Sequence, residues 1–219
     1  MPDNKETHRR KALKHVAAMG VAVSLPAGVL KPSAVAAAEA APKPAALQAL
    51  TAAEAGILEA IVARLIPSDD NLPGAKEARA ADYIDRSLAG ALAGSRKAYA
   101  TGLAAVDAYA QSSKGVLFTA LSPADQDVVL TAMEKNAATG FTPNSAAFFN
   151  LVRNHTLQGT FGDPAYGGNA NFVGWDLIGY PGIRMAVAPE EQRMGVKVKP
   201  QRQSAYRFAT LSKGSAHGH

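Results

Sequence analysis

The chain has 219 residues, 47% apolar and 19% charged, enough for one domain with a real core, since domains usually run to roughly 100–200 residues. It has no cysteine, which excludes disulfides, thiolate metal sites, iron–sulfur clusters, haem attachment through C-x-x-C-H, a lipoprotein anchor and a cysteine nucleophile. The net charge of +5 sits at the two ends: residues 1–40 hold six basic and three acidic groups, residues 183–219 seven and two, and residues 41–182 ten and thirteen. A nucleic-acid partner needs Lys and Arg on a folded face with aromatics for stacking, so this distribution argues against one.

Residues 1–40 read as an export signal. His8-Arg9-Arg10-Lys11-Ala12-Leu13-Lys14 is a twin-arginine pair followed by Leu and Lys, with Ala12 where a bulky Phe is usual. Behind it, residues 15–30 are mildly apolar and interrupted by Pro26, too short a run for a membrane span. Small-residue cleavage triplets end at Ala36, Ala38 and Ala40. A charged start, an apolar middle and an A-x-A end make a secretory signal, and Arg9, Arg10, Leu13 and Lys14 mark the twin-arginine route to the periplasm. That route carries proteins already folded in the cytoplasm, often around a cofactor. Yet the chain has no G-x-G-x-x-G and no P-loop, and beyond the leader only His155, His217 and His219 remain as imidazole ligands. No catalytic, cofactor-binding or metal residue is assigned, and His155 reads as a packed side chain.

Residues 41–50 form an Ala/Pro linker, expected to be mobile as far as Ala49. A helical domain is expected over 51–182, an all-α array of about five helices. Thr51-Ala-Ala-Glu54 has the capping-box pattern, and Ile57, Leu58, Ile61, Val62, Leu65 and Ile66 repeat on one face up to Pro67. A second helix is expected over Glu77–Leu92, with Tyr83, Ile84, Leu88 and Leu92 buried. A third runs from Arg96 to Gln111 through Tyr99, Leu103, Val106 and Tyr109. Ser122-Pro123-Ala124-Asp125 starts a fourth, with Val128, Val129 and Met133 inward. Thr142-Pro143 opens the last, through Phe148, Phe149, Leu151, Val152 and His155. No alternating pattern supports a sheet, and there is no internal repeat.

Residues 159–182 follow, with seven glycines in 24 residues, the only tryptophan, and Phe161, Tyr166, Phe172 and Tyr180. Glycines with aromatics indicate a loop that packs on itself and presents a rigid surface. Asp163 and Asn169 could serve as a base and an orienting amide. No second carboxylate or nearby nucleophile completes such a set, and turn capping is the favoured reading. Residues 183–219, basic and interrupted by Pro189 and Pro200, read as an extended C-terminal arm unable to fold alone.

Phe161-Gly-Asp-Pro-Ala-Tyr-Gly-Gly-Asn169 and Gly174-Trp-Asp-Leu-Ile-Gly-Tyr-Pro-Gly182 resemble the hallmark of the gluconate 2-dehydrogenase subunit 3 family. Leu50-Thr-Ala-Ala-Glu54 and Ala63-Arg-Leu-Ile-Pro67, ahead of an acidic turn, are similar to it as well, so the resemblance spans about residues 45–185. It implies a small, non-catalytic partner of a large FAD-dependent dehydrogenase of the glucose-methanol-choline type, often alongside a c-type cytochrome. The large subunit would be co-exported on this chain's leader. The cofactor would then lie in the partner, and membrane contact would come only through the complex. The sugar, gluconate or glycoside oxidised is not specified by this chain. A stand-alone periplasmic enzyme using Asp163 and His155, or a sugar-binding protein using Gly159–Gly182, is the competing reading. The expected partner interface is Phe161, Asp163, Pro164, Tyr166, Gly167, Gly168, Asn169, Trp175, Tyr180 and Pro181 in the loop, with Arg202 and Arg207 in the arm.

Overall fold

The computed structural model describes residues 46–208; Arg9, Arg10, Leu13 and Lys14 of the expected leader, and His217 and His219, lie outside them. Within that range every regular element is helical, as expected, and no strand is present. The α-helices are α1 (Ala52–Leu65), α2 (Ala80–Leu88), α3 (Arg96–Lys114), α4 (Pro123–Glu134), α5 (Ser145–Phe161) and α6 (Val173–Leu177), joined by short 3-10 turns. Among them no helix is long and apolar enough to cross a membrane.

The start of α1 follows its local chemistry. Thr51 accepts a hydrogen bond from the Glu54 N–H, and the Glu54 carboxylate accepts one from the Thr51 N–H. Each side chain thus satisfies a backbone donor the first turn leaves free. Burial alone would raise the Glu54 pKa, but the Thr51 N–H and the Arg96 guanidinium together hold it below the ordinary carboxylate value. Ile57, Leu58, Ile61 and Val62 are buried, as their spacing predicts. Helix α1 packs against α2, α3, α4 and α5, while α5 lies along α2 and α4. A two-pronged ion pair, Arg64 Nε to Asp127 Oδ1 and Arg64 Nη2 to Asp127 Oδ2, both at 2.7 Å, ties α1 to α4.

Several expectations are corrected. Helix α2 does not begin at Glu77: residues 74–79 form a turn in which the Glu77 carboxylate accepts the Gly74 N–H, and Arg79 takes a left-handed φ of 57°. That geometry cannot continue backwards as helix, so α2 covers nine residues and leaves Leu92 in the following turn, half-buried. Val128 points outward, 54% exposed, although its neighbours Val129 and Met133 are buried. The inward set of α4 is Gln126, Val129, Leu130 and Met133, a run at 3/4 spacing that places residue 128 well off that face. Helix α5 is capped by Asn144, whose side chain accepts from the Ala147 N–H, so Thr142-Pro143 lies just before it. It runs to Phe161, which makes Gly159, Thr160 and Phe161 its last turn rather than the start of the loop. A sixth helix, α6, lies inside the loop.

The linker also ends earlier than expected. The N–H groups of Gln48, Ala49 and Leu50 all donate to the carboxylate of Asp85, at 2.7, 3.0 and 2.7 Å. Arg96 adds a bond from Nε to the Ala49 carbonyl. Residues 48–50 are therefore held on the domain, because a buried carboxylate on α2 gathers three consecutive backbone donors.

His155 is the packed side chain expected. It stacks on Tyr99 with ring planes 9° apart, and Nδ1 lies 3.0 Å from the Tyr99 hydroxyl. Burial lowers the histidine pKa and raises that of the tyrosine, so near neutrality a protonated hydroxyl meets a neutral imidazole. The unfolded chain, with an ordinary histidine pKa of about 6.5, then binds more protons than the folded one just below that pH. The stability due to neutral His155 is full above about pH 6.5 and is lost as pH falls towards the depressed folded value. Unfolding free energies from urea titrations at pH 5 and pH 7 should differ more in the native chain than in His155→Gln, by at most about 1.4 kcal/mol per pH unit. An equal pH response in both chains would show that His155 titrates as it does when unfolded.

Candidate functional site

The site is built where the loop after α5 folds back on the helix that precedes it. Asn169 is fully buried: Nδ2 donates to the Gly162 carbonyl and Oδ1 accepts from the Gly174 N–H, each at 2.8 Å. Its own N–H donates to the Gly159 carbonyl at 2.7 Å, and the Ala170 N–H reaches Ala78 ahead of α2. One amide thus ties both halves of the loop to each other and to α5. Gly168 and Gly174 permit this approach: a Cβ on the first would collide with the Gly159 carbonyl and on the second with the Thr160 carbonyl. Only glycine lets two backbones meet so closely.

Trp175 on α6 plugs the centre. It is 5% exposed, its indole N–H donates to the Phe161 carbonyl at 2.9 Å, and its ring lies between Phe172 and Tyr180, with centroids 5.3 and 5.0 Å away. The Phe161 carbonyl belongs to the last turn of α5, where it has no partner within the helix.

Asp163 caps the turn Pro164–Tyr166: Oδ1 accepts from the Ala165 N–H at 2.9 Å. Its other oxygen accepts from the Ala205 N–H at 2.7 Å. Both oxygens are occupied by backbone donors, which suits a staple and leaves no lone base. His155 meanwhile faces Tyr99 in the core, so the two residues of the competing enzymatic reading are engaged separately. Among the described residues no three His, Asp or Glu side chains gather in a metal-binding group.

The bond to Ala205 holds the expected arm on this chain's own loop. As far as Phe208, the C-terminal segment folds against this chain's own loop. The Gln201 N–H donates to the Pro181 carbonyl at 2.7 Å, Arg202 pairs with Asp176 at 2.6 Å, and the Tyr206 hydroxyl donates to that of Tyr166 at 3.0 Å. Within the segment, Arg184 bonds both Glu191 and the Lys199 carbonyl. This segment has no periodic pattern to read, because isolated polar contacts hold it to partners that exist only once the loop has folded.

The expected interface residues therefore separate by burial. Gly168, Asn169 and Trp175 are internal and cannot touch a partner. Phe161, Asp163, Pro164, Gly167 and Pro181 are half-buried, Gly167 lying against the Arg86 guanidinium. Tyr166, Tyr180, Arg202 and Arg207 remain exposed, Arg202 with its charge already paired. A groove of ≈ 570 Å³ opens between α6 and the returning segment, walled by Tyr180, Pro181, Val196, Val198 and Pro200, with Asp176 and Lys197 also in its lining. Sequence reading overlooked Asp176, Val196 and Val198; the Asp in Gly174-Trp-Asp-Leu was the available signal.

A family model described as gluconate 2-dehydrogenase subunit 3 matches residues 52–182, from the first residue of α1 to the end of the glycine-aromatic loop. Comparison with curated proteins and with solved structures gave no match.

Proposed function

Since the chain belongs to the gluconate 2-dehydrogenase subunit 3 family, we propose that it is the non-catalytic small subunit of a periplasmic FAD-dependent dehydrogenase acting on sugars, gluconate or glycosides. The observation that carries this is the match itself, which covers the glycine-aromatic loop together with the helices beneath it. The loop geometry supports the same reading: its amide, carboxylate and indole are spent on internal bonds, so it serves as a scaffold. A Rossmann-type flavin site requires a βαβ unit. The described residues contain no strand and so no site of that type, and the family reading assigns the FAD to a large partner subunit of the glucose-methanol-choline type, with a c-type cytochrome as a further member.

The leader at Arg9 and Arg10 gives the subunit its second role. It would carry the folded flavoprotein through the twin-arginine route and hold it in a stable, mature state. Expressed together, the tagged chain and the flavoprotein should be recovered from the periplasm as one flavin-containing complex. With Arg9→Lys and Arg10→Lys both should stay in the cytoplasm. A flavoprotein that still reaches the periplasm would end the co-export role. Flavin absorbance or sugar-dependent dye reduction by the chain purified alone would end the non-catalytic one and favour the stand-alone enzyme.

A further inference from the structure

We infer, building on that subunit reading, that the groove between α6 and residues 196–200 is the docking socket for an acidic segment of the large subunit bearing an apolar anchor side chain. Exposed apolar groups concentrate in the stretch of chain that carries Tyr180 and Val196 of the groove. Ile178, Tyr180, Met185, Val187, Met194 and Val196 are all exposed within residues 178–196, and Met194 is wholly so. Over the far longer stretch 46–177 only seven large apolar side chains are exposed among the described residues. Tyr180 and Val196 both line the groove, and Pro181, Val198 and Pro200 stiffen its walls. A rigid apolar pocket with a tyrosine wall is the surface on which a partner's anchor residue binds at low entropic cost.

Charge selects the occupant. Residues 183–208 carry six basic and two acidic groups. Arg184 is paired with Glu191 and Arg202 with Asp176, while Arg193, Lys197, Lys199 and Arg207 have no carboxylate within ion-pair distance among the described residues. Lys197 is itself part of the groove lining. These cations complement an acidic segment and repel the basic leader of this chain. A second copy docking through the same face would set like charges against each other. A bilayer is disfavoured too: the segment is largely irregular, and lipid would leave its open backbone groups without partners.

The test uses the full chain in complex with the co-expressed flavoprotein subunit. A photo-crosslinking residue replaces Val196 in one sample and the exposed Val128 of α4 in a control. The crosslink should form from position 196 into an acidic stretch of the large subunit and should not form from 128. Lys197→Glu with Lys199→Glu should weaken the complex by about tenfold or more at low salt, the scale on which reversed interfacial charges act, while the melting temperature of the isolated subunit is unchanged. A complex that forms with undiminished affinity in the double variant, or that crosslinks only from 128, overturns the socket and leaves the subunit reading intact. A crosslink from 196 into a second copy, or binding of the lone chain to phosphatidylglycerol vesicles that is lost in the double variant while the protein complex is unaffected, also overturns it. No complex with any flavoprotein, even for the native chain, removes the subunit reading and the socket together.

Discussion

Trp175→Ala should cost the isolated subunit about 3–5 kcal/mol of stability, the range for deleting a large buried aromatic. The ring is 5% exposed and flanked by Phe172 and Tyr180, so its removal leaves a void the neighbouring aromatics can only partly fill. The indole N–H also satisfies the Phe161 carbonyl at the end of α5, and that oxygen would lose its partner. For a chain of this size the loss corresponds to a melting temperature lower by about 6–20 °C. Trp175→Phe keeps part of the packing but leaves the Phe161 carbonyl without its donor, so it should cost about 1–3 kcal/mol. Because Tyr180 leans on Trp175 and also walls the groove, partner affinity should fall in Trp175→Ala as a consequence of the stability loss. Unfolding midpoints of the lone subunit decide the matter. An unchanged midpoint with weakened partner binding would make Trp175 an interface residue after all.

Asp85→Ala should be nearly as damaging, about 3 kcal/mol or more, since one buried carboxylate accepts three hydrogen bonds and bonds to a charged acceptor are worth about 1.5–3 kcal/mol each before compensation. The group is 5% exposed, and its donors are the consecutive N–H groups of Gln48, Ala49 and Leu50. Asp85→Asn retains one acceptor oxygen but turns an amide NH₂ toward backbone donors, so an intermediate loss is expected. A structural consequence accompanies the energetic one. With the carboxylate gone, residues 46–50 are held only by the Arg96 contact to Ala49 and the burial of Leu50. Limited proteolysis should then cut up to the start of α1 in the variant and spare residues 48–50 in the native chain. Equal protection and equal midpoints in both would show that the clamp contributes nothing.

Local signals in the sequence were reliable wherever one turn of backbone decides the outcome. Thr51 with Glu54 and Ser122 with Pro123 start helices in the structure as their spacing predicts, because a cap and its donor lie within three residues. Ile57, Leu58, Ile61 and Val62 of α1 and Tyr99, Leu103 and Val106 of α3 are buried for the same reason, their period being a property of the helix itself. Errors entered where the decision was not local. Residues 77–79 have acceptable helix composition, but Glu77 is drawn to the Gly74 N–H and Arg79 adopts a left-handed φ. Val128 is as apolar as Val129, yet only the position of α1 and α5 against α4 determines which of them is covered.

The loop divides in the same way. Its glycines and aromatics mark it in the sequence as a self-packed unit, and they mark its family. Asp163 was legible as a turn-capping group, whereas Asn169, expected to cap a turn as well, makes no cap bond and bridges Gly162 and Gly174 instead. The second bond of Asp163, to Ala205, was not legible: the two are 42 positions apart and no periodicity links them.

What the sequence determined by itself is the all-helical class, most of the helix starts, the core stripes and the family. Each of these follows from side-chain pattern over a few turns of backbone. Tertiary structure alone decided that Trp175 and Asn169 are buried, that Asp85 clamps the entry to the domain, and that residues 183–208 fold back to form one wall of a groove. Those outcomes rest on single hydrogen bonds and close backbone approaches between distant segments. Their energies depend on where a donor, a carbonyl or a missing Cβ comes to lie, and that position exists only after the helices have packed.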